Sequence, residues 1–331
     1  MPMCTAVTYQ TKDHYFGRNL DLEFSYGESV TVTPRNYAFS FRGGKPLASH
    51  HAMIGVAYVQ KGYPLYYDAV NEKGLAMAGL RFPEYAFYER VENGTEMVAP
   101  FELIPWVLGQ CGTLDEARQL LEQTRLGSID FSEALPVTPL HWMLADKTGS
   151  IVVEPLKEGL RIYENPVGVL TNAPPFPYHL SHLEQFRNLT ASEPQNPLLD
   201  GLGLTPDSRG MGAVGLPGDL SSDSRFVRAA FTRLYSLSEE SEEESVSQFF
   251  HILQAVAQTR GCVRLNTGNE ITVYSSCCNT EKGIYYYMTY QNHRVLGVDL
   301  HREDLDGTEL VAYPMENQLH VQIQNAKSRP V

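Results

Sequence analysis

Positive charge is scarce in this sequence. Against 39 Asp and Glu there are 26 Lys and Arg, a net charge of -13 over 331 residues. Phosphate backbones repel such a surface, which argues against a nucleic-acid partner, and an anionic ligand would need a local cation to bind. No apolar run reaches the roughly 18 residues that a membrane-spanning helix requires. The first residues, Met1 to Gln10, carry neither a basic leader nor a long apolar stretch, so no secretory signal is expected and the predicted compartment is the cytosol. Cysteine is sparse and unpatterned: Cys4, Cys111, Cys262, Cys277 and Cys278 are five, an odd count without a CxxC pair, which speaks against a disulfide framework.

The usual signatures of bound groups are also missing. There is no HExxH and no GxSxG elbow. His179 and His182 could share a helical face, but no Cys/His cluster accompanies them, and packing is the expected role. Gly210-Met-Gly-Ala-Val-Gly215 formally matches GxGxxG. A dinucleotide fingerprint follows a strand and opens a helix, whereas here Thr205-Pro-Asp-Ser-Arg precedes and Leu216-Pro-Gly-Asp follows, so a tight loop is expected. No metal and no organic cofactor is expected.

What is present is an ordinary globular composition, 43% hydrophobic and 20% charged, able to bury a sizeable core. Strand patterns cover Cys4–Tyr9, Tyr15–Leu22, Ser29–Pro34, Ala52–Val59, Leu65–Val70 and Leu75–Leu80. Thr113-Leu-Asp-Glu116 reads as a capping box opening a helix. Further strands are predicted over Leu140–Ala145, Ser150–Pro155, Gly159–Tyr163 and Val167–Thr171, then a helix over Phe176–Leu189. Glu193–Pro217 reads as a long loop. Helices are predicted over Phe226–Leu237 and Val246–Arg260, with acidic Ser238–Glu244 as a solvated connection. Strands return at Thr272–Cys278, Ile284–Tyr290 and Arg294–Asp299. The order of strand and helix groups predicts an α+β protein with helices packed on antiparallel sheets, in one domain spanning residues 1–331.

Cys4 is the sharpest chemical signal. A terminal cysteine joins a thiol of ordinary pKa about 8.5 to an amine of about 7.7–8.0, so one group can act as base for the other. A nearby arginine would lower the thiol further. A turn centred near residues 12–13 places Cys4 opposite Asp21 or Leu22, and Arg18 opposite Val7 or Thr8. A regular ladder would put only one of Arg18 and Asp21 on the Cys4 face. Spacing alone leaves a catalytic Cys4 and a buried inert thiol equally open.

Met3-Cys-Thr, Phe16-Gly-Arg-Asn-Leu-Asp21, Asn71-Glu-Lys-Gly74, Leu140-His-Trp142, Leu170-Thr-Asn-Ala-Pro174, Gly215-Leu-Pro-Gly-Asp219, Ser224-Arg-Phe226 and Glu281-Lys-Gly-Ile-Tyr-Tyr-Tyr287 resemble, in order, the choloylglycine hydrolases among the N-terminal-nucleophile hydrolases. The resemblance implies a four-layer αββα sandwich, assembled as a homotetramer, and a bile salt hydrolase that cleaves the amide of glycine- and taurine-conjugated bile salts. A penicillin V acylase and a non-catalytic steroid-binding homologue are the alternatives.

By that resemblance Cys4 is the nucleophile and its α-amine the base, Arg18 favours the thiolate, Asp21 holds the amine, Asn172 donates to the oxyanion and Arg225 orients the surroundings. Leu20, Phe24, Tyr26, Phe131 and Leu135 are candidates for an apolar pocket, and Arg209, in Ser208-Arg-Gly210, for the anion of the leaving amino acid. Two departures stand out. Arg81 occupies a position where bile salt hydrolases usually carry Asn and penicillin V acylases often Tyr, so the usual side-chain oxyanion donor is replaced. Met1-Pro2-Met3 precedes Cys4 where one Met is normal, so a three-residue leader must be removed to free the amine.

Overall fold

The computed structural model describes residues 3–91, 96–195, 201–203 and 208–325. In chain order its elements are β1 (Cys4–Gln10), β2 (His14–Leu22), β3 (Ser29–Thr33), β4 (Met53–Gln60), β5 (Tyr63–Asn71), β6 (Ala76–Arg81), α1 (Leu103–Gln110), α2 (Leu114–Glu122), β7 (Leu140–Asp146), β8 (Gly149–Leu156), β9 (Gly159–Glu164) and β10 (Val169–Leu170). They continue with α3 (Phe176–Leu183), α4 (Ser222–Tyr235), α5 (Glu242–Gln254), the short pair β11 (Arg264–Leu265) and β12 (Gly268–Asn269), then β13 (Ile271–Asn279), β14 (Ile284–Thr289), β15 (Leu296–Asp299) and β16 (Val311–Pro314). Among the described residues no helix is long and apolar enough to cross a membrane.

Two antiparallel sheets carry the fold. One runs β10-β1-β2-β13-β14-β15 and the other β16-β3-β4-β5-β6-β7-β8-β9. Helices α4 and α5 pack on the outer face of the first sheet, and α1 and α2 on the outer face of the second, giving the αββα order. The inner strands of the second sheet are therefore buried on both sides, whereas the edge strands β9 and β16 stay partly exposed. Along β4, Ile54 and Val56 point into the core between the sheets, whereas Met53 and Ala57 join the core beneath α1 and α2. On β7, Met143 and Ala145 face one core while Trp142 and Leu144 face the other. This is why the strands read as nearly continuous apolar runs rather than as alternating ones.

Local chemistry sets the helix starts. The Thr113 hydroxyl accepts from Glu116 N at 3.2 Å, one half of the predicted capping box at the start of α2. The Glu116 carboxylate reaches back to Gly112 N at 2.7 Å. Three features differ from expectation. Glu242–Glu244 belong to the first turn of α5, with Ser241 as its cap, and are not a solvated connection. Three carboxylates there complement the positive end of the helix, a stabilisation that outweighs the loop-like composition of the run. Helix α1 and strand β16 went unpredicted. Leu103–Gln110 is apolar around nearly its whole circumference, because it lies against the eight-stranded sheet without a polar outer stripe. The predicted loop over 193–217 lies partly outside the described residues; among those described, Gly210 and Gly215 adopt positive φ at either side of a single 3-10 turn, Met211–Ala213, as a tight loop requires.

Candidate active site

The hairpin of β1 and β2 brings the candidate residues of the N-terminal segment together. Cys4 pairs with Leu20 and Ala6 with Arg18. His14 belongs to β2 rather than to the turn, so the turn is Thr11-Lys12-Asp13 and centres on Lys12. That shifts the expected pairing by one to two residues: Cys4 is not opposite Asp21 or Leu22, and Arg18 is not opposite Val7 or Thr8. Directly paired residues share a face, so Cys4, Arg18 and Leu20 look into the space between the sheets and Asp21 looks outward toward α4. Gly17 makes the packing possible, since a Cβ there would meet Ser276 O at 2.0 Å.

The face question left by the sequence resolves at the strand end. Arg18 serves the thiol side, and Asp21 and Arg225 serve the backbone side of the same residue. Opposite Asp21, β13 carries a bulge between Thr272 and Tyr274, and Thr272 Oγ1 donates to Asp21 Oδ1 at 2.6 Å. The other oxygen, Oδ2, is buried and without a partner. Asp21 N donates to Met3 O at 3.1 Å. Cys4 N donates to Asn172 Oδ1 at 2.8 Å, and Arg225 donates through Nη1 to Cys4 O at 2.6 Å and to Thr5 Oγ1 at 2.7 Å, and through Nη2 to Asn172 Oδ1 at 2.7 Å. Asn172 Nδ2 donates to Arg81 O at 2.9 Å. The loop that carries Asn172 is pinned from behind: His141 Nε2 and His179 Nε2 each donate at 2.9 Å, to Thr171 O and Asn172 O, and Asn172 N donates to Ser222 Oγ at 2.9 Å.

Arg18 is fully buried. It spends Nη1 on Tyr67 O at 3.0 Å and Gly79 O at 2.5 Å, and leaves Nη2 without a partner. Asp68 holds Tyr274, Tyr285 and Ser276 through their hydroxyls and adds negative charge near Arg18. With the leader attached, burial raises the pKa of the Cys4 thiol, and Arg18 and then Arg225 oppose that rise. Burial also pushes Asp21 up to about 6. Glu270, buried beside the leader, accepts from Met3 N at 2.7 Å and is pushed up to about 7, first by burial and then by Asp21. Neither Glu270 nor Thr272 stood out in the sequence: Thr272 reaches the site on β13 and Glu270 from the residue just before it, and neither belongs to a recognisable spacing.

Above the thiol lies a cavity of about 540 Å³, within the range of small-molecule sites. Cys4, Arg18 and Leu20 form part of its lining, with Tyr26, Phe131, Leu135 and Arg81 also placed on it, as are Tyr58, Ile104 and Trp142, which the sequence did not single out. Phe24 is not among the lining residues; it is 56% exposed and packs against Tyr26 with ring centroids 4.9 Å apart. Arg209 is exposed on its loop and is not in the cavity lining. A thiol on the floor of an apolar chamber, flanked by two buried guanidinium groups and an amide side chain, is equipped for nucleophilic acyl chemistry on a ligand with a large apolar acyl part.

Comparison with known proteins agrees with this geometry. Residues 4–313 match the family described as linear amide C–N hydrolases, choloylglycine hydrolase family. The chain is 53% identical over 317 residues to a bile salt hydrolase/transferase of Lactiplantibacillus plantarum, covering 96% of this chain and 98% of that protein. A solved variant of the conjugated bile acid hydrolase from Clostridium perfringens superposes with a TM-score of 0.90 at 38% identity, covering 97% of this chain and all of the other, 100%. A penicillin V acylase from Agrobacterium tumefaciens shares the fold, with a TM-score of 0.75 at 21% identity over 96% of this chain and 94% of that one. With its two-sheet sandwich and the match along nearly its whole length, the chain belongs to the choloylglycine hydrolase family of linear amide C–N hydrolases.

Proposed function

We propose that this enzyme hydrolyses the amide bond of glycine- and taurine-conjugated bile salts, with Cys4 as nucleophile. The observation that carries this reading is the roughly 540 Å³ apolar cavity opening directly on Cys4, taken with relatives named for bile salt hydrolysis that align along 96% of the chain.

Removal of Met1–Met3 turns the Cys4 amide into an amine. The amine takes the thiol proton, and the thiolate adds to the amide carbonyl carbon. Arg18 stabilises the thiolate, and the second hydrogen of Asn172 Nδ2 is available to the developing oxyanion. The Cys4 ammonium then protonates the departing nitrogen as the C–N bond breaks, leaving a thioester and the free amino acid. Water, deprotonated by the same amine, adds to the thioester carbonyl, and the thiolate leaves. Asp21 and Asn172 hold the amine, and Arg225 fixes both Cys4 O and Asn172.

The five free cysteines suit a reducing cytosol, and the homotetramer implied by the family is to be measured by light scattering. Initial rates on glycocholate, taurocholate and penicillin V, read as free amine released, test the proposal. Turnover of the bile salts at the higher kcat/KM supports it; turnover confined to penicillin V replaces the steroid with an aryloxyacetyl group.

A further inference from the structure

The cavity holds two guanidinium groups, and the protein treats them in opposite ways. Arg18 is fully buried and committed to backbone carbonyls. Arg81, at the end of β6, lines the same cavity half-buried, and its side chain makes no hydrogen bond or ion pair among the described residues. Its Nε is closed off from solvent with no partner. A guanidinium N–H removed from water without an acceptor is costly, and an anionic ligand would supply the acceptor.

The chemistry of the proposed substrate identifies the anion, because a glycine or taurine conjugate carries its full negative charge on the amine side of the scissile bond. Through its backbone, Arg81 is tied to the reacting residue: Arg81 O accepts from Asn172 Nδ2 at 2.9 Å, and Asn172 Oδ1 accepts from Cys4 N at 2.8 Å. Across the ladder of β6 and β7, Arg81 pairs with Leu140. Tyr88 OH donates to Thr138 O at 2.9 Å and accepts from Leu140 N at 2.8 Å, and Thr138 and Leu140 belong to the cavity wall. Arg81 therefore lies beside the Thr138–Leu140 wall of the cavity that also holds the thiol. The other arginine near the chamber, Arg42, is already used: its guanidinium lies 4.8 Å from the Phe131 ring centroid and 5.3 Å from that of Phe101, and it donates to Asp130 O. With a net charge of -13, the protein as a whole offers an anion no attraction.

We propose that Arg81 is the receptor for an anion on the amine side of the scissile bond, the carboxylate or sulfonate of the leaving amino acid. This inference rests on the reaction proposed above but not on the steroid. The planar fork of a guanidinium can hold two oxygens of either anion, and its cost falls only on substrates that carry one.

The test compares glycocholate with its glycinamide, which differ only in that charge, and repeats the comparison with N-phenoxyacetylglycine and its amide. In the unaltered enzyme the acid is expected to exceed the amide in kcat/KM by about ten- to a hundredfold, the span of one charge-assisted contact. Arg81→Met should erase that ratio, and Arg81→Lys should keep part of it. General structural damage lowers both members of a pair together and leaves the ratio intact, a result that overturns the proposal, as does a ratio near one in the unaltered enzyme. Calorimetric Kd values for the same pairs on a Cys4→Ala background read the contact without turnover, and equal affinity or no binding of any of the four compounds also overturns it. If the phenoxyacetyl pair follows the pattern and the cholyl pair is neither bound nor cleaved, the steroid reading falls and Arg81 stands. Cleavage of the cholyl pair with one ratio in both enzymes gives the reverse.

Discussion

Removing the leader should change how stability depends on pH, and the structure sets both the sign and the size. With Met1–Met3 attached, Asp21 is buried, keeps Oδ2 without a partner and is pushed up to about 6 from its ordinary 3.8. A folded value above the unfolded one means that the folded chain binds this proton more tightly. The associated stability is fully present below about pH 3.8 and is lost as the pH rises through about 6. For Asp21 alone the displacement corresponds to about 3 kcal/mol at neutral pH. Glu270, pushed up to about 7, acts in the same direction. The leader-bearing form should therefore lose stability steadily between about pH 4 and 7. Trimming places an ammonium at Cys4 N, beside Asp21 and 2.8 Å from Asn172 Oδ1. That charge offsets the carboxylates and lowers their pKa values. Urea unfolding from pH 4 to 8, on a form retaining Met1–Met3 and a form beginning at Cys4, distinguished by intact mass, should show a falling curve for the first and a flatter or rising one for the second. Asp21→Asn in the leader-bearing form should remove much of the slope. Parallel curves for the two forms would refute the reasoning, because the buried carboxylates would then not sense the new amine.

Other outcomes follow from the same contacts. Cys4→Ser should keep the fold and abolish turnover; hydrolysis above a few per cent of the unaltered rate would sink the nucleophile assignment. Full activity in a chain whose intact mass still includes Met1–Met3 would remove the amine as base. Asn172→Ala deletes the acceptor for Cys4 N and the donor beside the thiol, so kcat should fall about 10²–10³-fold with a much smaller change in KM; equal effects on both would mark Asn172 as a binding residue. Arg209→Ala is expected to leave the glycine-to-taurine ratio of kcat/KM nearly unchanged, given its exposed place outside the cavity lining, and a selective loss on taurine conjugates would restore it as the anion contact.

Much of this enzyme was legible in the amino-acid order because the relevant rules are local. The helix cap at Thr113, the loop glycines Gly210 and Gly215, and the strand runs on either side of the Thr11–Asp13 turn act over a few residues, and each appears where the pattern predicts. The motif order from Met3 to Tyr287 was enough to identify the family and hence the two-sheet sandwich. Hairpin register was less legible: His14 joins the strand instead of the turn, which recentres the hairpin and moves each partner, a difference that hydrophobic alternation does not encode when both faces are buried. The site itself was decided by tertiary contacts. Cys4 N meets Asn172 at a sequence separation of 168, and Met3 meets Glu270 at 267. Only the fold determines that Arg18 approaches the thiol from between the sheets while Asp21 and Arg225 approach the backbone from beneath α4. It also separates Arg81 from Arg209, two arginines the sequence offers alike, by lining the cavity with one and leaving the other on an exposed loop. Sequence records which charges exist, but the energy of a charge depends on what surrounds it, and burial is a property of the packed chain.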